Sequence, residues 1–392
     1  MEGIGIYGGT FNPPHVGHIR AAKYATEKLN LEKMLLIPSC IAPHKTLPEG
    51  SPTPAQRAKM VSLAATPPME VCEIELNRGN VSYTYETVEA IKGIYPDKEL
   101  ILFMGTDMFL SFYSWKEPQR ILKYASLGVF YRGDKDEMSA IAAQKAKMEE
   151  QGIRVYLVEN PITAISSTQL RRLLAFRCAD SLLPDGVGDY IRQNGLYETN
   201  RNLRNLPMEE LEQVVVSLVK PSRVAHILGC RNTAAELARI WGADEADAAR
   251  AGLLHDITKA LDGPLQLTLC SEYGVQLDSF SAHNPKTLHA LTGSLVAERI
   301  FGENKAVVDA ICSHTTGKAN MNTLEKILYV ADYMEPNRVF PGVEELRRLA
   351  YTDLNKALKL GLTMTLNLLK ERNEDISPAS AEALAFLQSA GI

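Results

Sequence analysis

Cysteine is scarce in this 392-residue chain, and its six copies stand far apart. Cys40, Cys72, Cys178, Cys230, Cys270 and Cys312 form no CxxC pair. That spacing reads as reduced, mostly buried thiols and argues against a disulfide framework. No stretch approaches the roughly 18 apolar residues that would span a bilayer. The opening MEGIGIYGGTF lacks the basic flank and long apolar core of a signal peptide. The expected compartment is the cytoplasm, with no membrane partner. Positive charge is also in deficit: 42 Lys and Arg against 47 Asp and Glu leave a net charge of -5. Such a balance shows no footprint for nucleic acid, although a local cluster of donors still binds phosphate on an acidic protein. What remains is ordinary globular composition, 45% hydrophobic and 23% charged, in a length that favours two or three domains.

The first half alternates strand and helix patterns. Strands are expected at 3–7, 33–38, 70–76, 99–104, 127–131 and 154–158. Helices are expected at 17–29, 53–65 (Thr53 as N-cap), 84–93 and 135–151. This rhythm predicts an α/β domain whose parallel sheet is covered by helices on both faces, with ligands at the carboxyl ends of its strands. Near Tyr197 the rhythm changes. From Met208 onward every pattern is helical, including AGLLHD, read as one helix closing on His255-Asp256. The expected division is 1–198, a linker at 199–207, and an all-α domain at 208–392.

The sharpest local signal is Gly8-Gly9-Thr10-Phe11-Asn12-Pro13-Pro14-His15-Val16-Gly17-His18, a glycine turn between a strand and a helix. Paired glycines allow close backbone approach, and helix-start N–H groups attract anions. His15 and His18 share one face and can donate to oxygens that gain charge in a transition state. Far along the same half, Ile165-Ser166-Ser167-Thr168-Gln169-Leu170-Arg171 reads as a second donor-rich helix start. Together these resemble the HxGH and ISxTxxR signatures of the nucleotidyltransferase superfamily, which implies a Rossmann-like fold. Within it, residues 1–198 resemble nicotinate-nucleotide adenylyltransferase through Pro43-His44-Lys45, Ser82-Tyr83-Thr84, Gly105-Thr106-Asp107, Trp115, Arg132 and DYIRQNGLY. Sister transferases for phosphopantetheine or a cytidylyl donor share the two signatures but are not expected to carry that set.

The resemblance implies that AMP passes from ATP to nicotinate mononucleotide, with Mg²⁺ held chiefly by phosphate oxygens and no covalent intermediate. It implies His18 for the α-phosphate and His15 beside it. Gly8, Gly9, Thr10, Phe11, Ser167, Thr168 and Arg171 are then the ATP-phosphate residues. His44, Lys45, Thr84, Gly105, Asp107, Trp115 and Arg132 are the substrate-binding residues, with Trp115 either stacking on the pyridine ring or serving as a half-buried core aromatic.

The helical half holds His226, His255-Asp256 and Asp332 in the order of the HD phosphohydrolase superfamily. Mixed imidazole and carboxylate donors suit divalent transition metals. LLHDITK, SHTTGK, LEKILYVADYMEPNR and PGVEELR resemble one subgroup, the bacterial symmetrical diadenosine-tetraphosphate hydrolase of HD type. That resemblance implies His289 and His314 as further ligands, two metal ions bridged by Asp256, and iron as the metal, with Mn²⁺ able to substitute. Two metals clamp a phosphoanhydride and activate water. Lys259 and Arg338 are either phosphate contacts or solvated charges, and His283 stays outside the set. The competing reading makes this half a nucleotide-sensing regulatory module, or a phosphohydrolase for another nucleotide. Tetraphosphates arise as by-products of adenylyl transfer, so a fused hydrolase would remove them. Homo-oligomerisation is only a default expectation.

Overall fold

The computed structural model describes residues 3–43, 46–131, 135–159 and 165–391. The chain divides into two compact units, Met1–Arg201 and Asn202–Ile392.

In the first unit, β1 (Gly3–Gly9), β2 (Lys33–Pro38), β3 (Met69–Val71), β4 (Glu99–Gly105), β5 (Ala125–Tyr131) and β6 (Val155–Glu159) form one sheet. Its order is β3-β2-β1-β4-β5-β6, and every neighbouring pair is parallel. The order reverses between β1 and β4, where the crevice of a doubly wound sheet opens. Side chains alternate between the two faces because a strand has a period of two residues. Ile4, Ile6, Leu35, Ile37, Leu100, Leu102 and Met104 pack on one face with Val88, Ile91 and Phe112. Met34, Leu36, Ile101 and Phe103 pack on the other with Ala21, Ala25 and Val61. Each buried aliphatic side chain contributes about 1.5–3 kcal/mol, so the sheet positions its strand ends rigidly.

The third strand is shorter than the sequence predicts. It stops at Val71, and Ile74–Arg78 forms a helical turn closed by Gly79 at φ 71°. The cause is Glu75, a buried carboxylate that accepts from Thr87 Oγ1 at 2.8 Å. An edge strand continuing straight would forfeit that bond.

The second unit is helical throughout its described elements. Residues 202–207, expected as linker, pack within it: Leu203 is buried, Asn205 N–H donates to Phe301 O at 2.8 Å, and Leu206 O accepts from Arg250 at 2.9 Å. A second correction concerns AGLLHD. The helix Glu245–Leu254 ends before the dipeptide, His255 is its C-cap, and residues 255–260 turn. Adjacent residues in a helix diverge by ~100°. Leaving the helix allows both side chains to reach one centre. Among the described residues, no helix is long and apolar enough to cross a membrane.

Candidate active sites

In the first unit a cavity of about 650 Å³ opens at the carboxyl ends of β1, β2 and β4. Gly8, Gly9 and Thr10 form one wall, and Thr84, Gly105 and Trp115 line the rest. Trp115 is half-buried and packs on Phe112 with ring centroids 5.3 Å apart. The helix Thr84–Ile94 begins in this wall, and its N-cap Tyr83 makes no side-chain capping bond. Its first turn therefore brings backbone N–H groups to the cavity without a side-chain cap.

His15 caps the helix Val16–Lys28 in a reciprocal arrangement. Its Nδ1 accepts from His18 N–H at 3.3 Å, and His18 Nδ1 accepts from His15 N–H at 3.2 Å. The rings stack 3.6 Å apart. With each Nδ1 accepting, each neutral ring carries its proton on Nε2, the donor form a phosphate oxygen requires. Burial lowers the His15 pKa from 6.5 to about 4, so it is neutral at pH 7.

The loop before these histidines is clamped from the far end of the unit. Arg171 donates to Asn12 O at 2.8 Å and to Thr168 Oγ1 at 3.2 Å. Ser167 donates to Pro13 O at 3.1 Å, and the Tyr197 hydroxyl donates to Asn12 Oδ1 at 2.7 Å. Beneath it, fully buried Arg57 donates to Thr10 O at 2.6 Å and to Ser39 O at 2.7 Å. The two signature segments thus meet, 154 residues apart in sequence.

Two expected residues are placed otherwise. Phe11 turns its ring into the core, 2% exposed, and supports His18 edge-on at 5.1 Å, so only its backbone is available to a phosphate. Asp107 is exposed in the short helix Thr106–Leu110 and is absent from the cavity lining. His44, Lys45 and Arg132 lie outside the described residues.

In the second unit His226, His255, Asp256, His289, His314 and Asp332 converge. His226 Nε2 lies 3.2 Å from both His255 Nε2 and Asp332 Oδ1. Asp256 presents Oδ2 to His255 Nε2 at 3.5 Å and Oδ1 to His289 and His314 at 3.5 and 3.9 Å. Burial raises the Asp256 pKa, but His255, His289 and His314 around it hold it well below the usual carboxylate range. Asp332 follows the same balance, with burial outweighed by the His226 hydrogen bond and the charges of His255 and Arg338. Burial lowers His289 to about 3, helped by Lys259, and His314 to about 4, helped by His255. His255 shifts the other way: burial lowers its pKa, but the Asp256 carboxylate outweighs that and raises it. Ionised carboxylates and the neutral rings of His289 and His314 are the states that metal ligation needs.

A cavity of about 820 Å³ opens beside the cluster. Arg223, Lys259 and Arg338 line it along with Tyr333, Phe340 and Met364. Arg223 pairs with Asp256, and Arg338 with Asp332 at 2.5 Å. The Thr315 hydroxyl lies 3.1 Å from His289 Nε2 and 3.2 Å from His314 Nε2. Sequence reasoning missed Arg223, Thr315 and Glu335, the last 3.1 Å from His226 Nδ1. It also missed Cys230, whose sulfur lies 3.8 Å from His226 Nε2. Burial raises the Cys230 pKa well above its ordinary value, which keeps it a thiol.

Residues 6–173 match the cytidylyltransferase-like family and residues 223–337 match the HD domain. The N-terminal half is similar to a probable nicotinate-nucleotide adenylyltransferase of Dictyoglomus thermophilum, 38% identical over 197 residues, covering 50% of this chain and 98% of the relative. The C-terminal half is similar to the symmetrical bis(5'-nucleosyl)-tetraphosphatase of Bacillus subtilis, 38% identical over 171 residues, covering 43% of this chain and 91% of the relative. The chain belongs to both families. A second such tetraphosphatase, from Halalkalibacterium halodurans, is 42% identical over 168 residues, covering 42% and 89% of the two chains. The chain is thus a fusion of a nicotinate-nucleotide adenylyltransferase unit with a symmetrical tetraphosphatase unit. An HD domain binds divalent metal, and the convergent donors of the tetraphosphatase unit fit one: His226, Cys230, His255 and Asp332 group within 4.8 Å, as do His255, Asp256 and His314.

Proposed function

We propose that one chain carries two activities: adenylyl transfer from ATP to nicotinate mononucleotide, and symmetrical hydrolysis of diadenosine tetraphosphate to two ADP. The transfer reading rests on one juxtaposition, the Gly8–Thr10 loop in the same cavity as Thr84 and Trp115. The α-phosphate of ATP lies against His15 and His18, whose Nε2–H groups donate to its oxygens as charge develops. The Ser167–Ala175 helix start and Arg171 hold the β- and γ-phosphates. The pyridine ring lies on Trp115, and its carboxylate meets the helix start at Thr84. Attack by the mononucleotide phosphate forms one P–O bond as pyrophosphate departs, so catalysis is positioning and charge stabilisation. Mg²⁺ brought with the nucleotide would supply charge neutralisation.

The hydrolase reading rests on the opposed oxygens of Asp256, one toward His226 and His255 and the other toward His289 and His314. Six side chains, His226, His255, Asp256, His289, His314 and Asp332, would hold two ions, expected to be iron or Mn²⁺. When bound, such ions polarise a phosphoanhydride and activate water. Arg223, Lys259 and Arg338 would neutralise the polyphosphate along the cavity, and Tyr333 and Phe340 offer an apolar wall to a base.

Two assays test the pair of readings. Iron-loaded chain given diadenosine tetraphosphate is expected to yield ADP as sole product, and Asp256→Ala to yield none. AMP and ATP as products would refute symmetrical cleavage. Nicotinate mononucleotide is expected to be adenylylated in preference to nicotinamide mononucleotide, because the latter has no carboxylate for the Thr84 helix start. Equal rates, or preference for phosphopantetheine, would overturn the assignment.

A further inference from the structure

Three histidines of the cluster are held alike. His255 Nδ1 lies 2.8 Å from Gly252 O, His289 Nδ1 3.0 Å from Lys286 O, and His314 Nδ1 2.6 Å from Ile311 O. Each partner is the carbonyl three residues earlier. A carbonyl only accepts, so each Nδ1 keeps the proton and each Nε2 presents a lone pair.

His226 is held differently. It stands in the first turn of the helix Val224–Trp241, where the carbonyl of the capping residue begins the helix's own ladder. Its Nδ1 instead lies 3.1 Å from Oε1 of Glu335, a carboxylate only 1% exposed. The other oxygen, Oε2, accepts from the backbone N–H and the side-chain amide of Asn337, both at 2.8 Å. Gly229, one turn after His226, leaves room for this arrangement, since a β-carbon there would overlap Glu335 Oε2. Arg347 reaches only the Glu335 backbone carbonyl, at 3.1 Å. The carboxylate charge therefore bears on His226.

The two sides of the cluster receive unequal charge. Around His226 and His255 stand Asp332, Oδ2 of Asp256 and Glu335, offset by Arg338 on Asp332 and Arg223 on Asp256. Around His289 and His314 stands Oδ1 of Asp256, while the Lys259 ammonium lies 3.0 Å from His289 Nε2. An anionic partner on the far ring nitrogen raises a ligand's basicity, and a nearby cation opposes metal.

We propose that Glu335 is a positioning residue that makes the His226–His255–Asp332 side the tight metal position, leaving the His289–His314 side as a weaker one that fills second. The proposal rests on the six-ligand reading given above.

Calorimetric titration of the metal-stripped full chain with Mn²⁺ tests it, independently of turnover. Two phases of unequal affinity are expected. In Glu335→Gln, the two Asn337 donors require an acceptor, so the glutamine oxygen faces Asn337 and its NH₂ faces His226 Nδ1. That drives the ring proton to Nε2, the ligating atom. The tight phase should weaken 10–100-fold with the second phase unchanged, and ¹⁵N spectra of labelled histidine should show one ring with reversed tautomer. Lys259→Met should strengthen only the second phase, and this arm decides the matter if Glu335→Gln fails to fold. Two equal phases in the unaltered chain, or a tight phase preserved in Glu335→Gln, would overturn the proposal alone. No binding by the unaltered chain would remove the metal-centre reading along with it.

Discussion

Acid should loosen the transferase unit through His15 in particular. Its pKa falls from 6.5 to about 4 on folding because the ring is buried, 5% exposed, in the cap beneath the phosphate loop. A depressed histidine pKa means that the unfolded chain binds the proton first. Stability is therefore complete above pH 6.5 and declines as pH falls toward 4. Protonation linkage is worth ~1.4 kcal/mol per pH unit inside that window, so the loss between pH 7 and pH 5 is about 2 kcal/mol. The chain carries its two tryptophans one to a unit, Trp115 in the first and Trp241 in the second. A Trp241→Phe background then reports urea unfolding of the transferase unit alone. In that background His15→Asn keeps a capping oxygen for the helix start and removes the titrating ring. The difference between the two proteins in pH dependence should be about 2 kcal/mol, and a difference below ~0.5 kcal/mol would refute the assignment of the acid term to His15.

Three further outcomes are expected. His18→Ala should leave the unfolding curve of the transferase unit intact and cut adenylyl transfer by more than about 100-fold, measured as pyrophosphate release. Trp115→Ala should raise KM for nicotinate mononucleotide about 10-fold with little change in kcat, since stacking on an aromatic is worth ~1–3 kcal/mol. Asp256→Asn should abolish tetraphosphate hydrolysis and reduce bound metal from two ions to one or none by elemental analysis, while adenylyl transfer by the other unit proceeds at the unaltered rate.

The doubly wound sheet was legible because strands such as Lys33–Pro38 are buried on both faces and read as unbroken apolar runs. The stretch 70–76 instead sets three glutamates among four apolar residues, and its course depends on where Glu75 finds a partner, with Thr87 12 residues away. The histidines of both units stood out because their spacing and flanking residues are local. Where each points was not local. His255 and Asp256 reach one centre with the helix ending at Leu254, before the dipeptide, a boundary that the apolar pattern of AGLLHD does not mark. Glu335 in EPNR and Arg223 before the Val224–Trp241 helix look like surface charges in sequence, and only tertiary structure brings them to the cluster. Asp107 shows the converse, because a residue after a strand and a glycine is well placed for a ligand but here turns to solvent.

The bond from Tyr197 to Asn12 joins residues 185 positions apart. Its consequence is one of timing. A ribosome delivers the glycine turn and both histidines well ahead of the clamp that fixes them, which arrives with Arg171 and closes with Tyr197. At ~5–20 residues per second, roughly ten seconds or more separate those events. The nascent chain therefore holds an unfinished nucleotide pocket until the last turn of the first unit is free of the exit tunnel. The last residues of the first unit, and not its signature loop, therefore complete the nucleotide pocket.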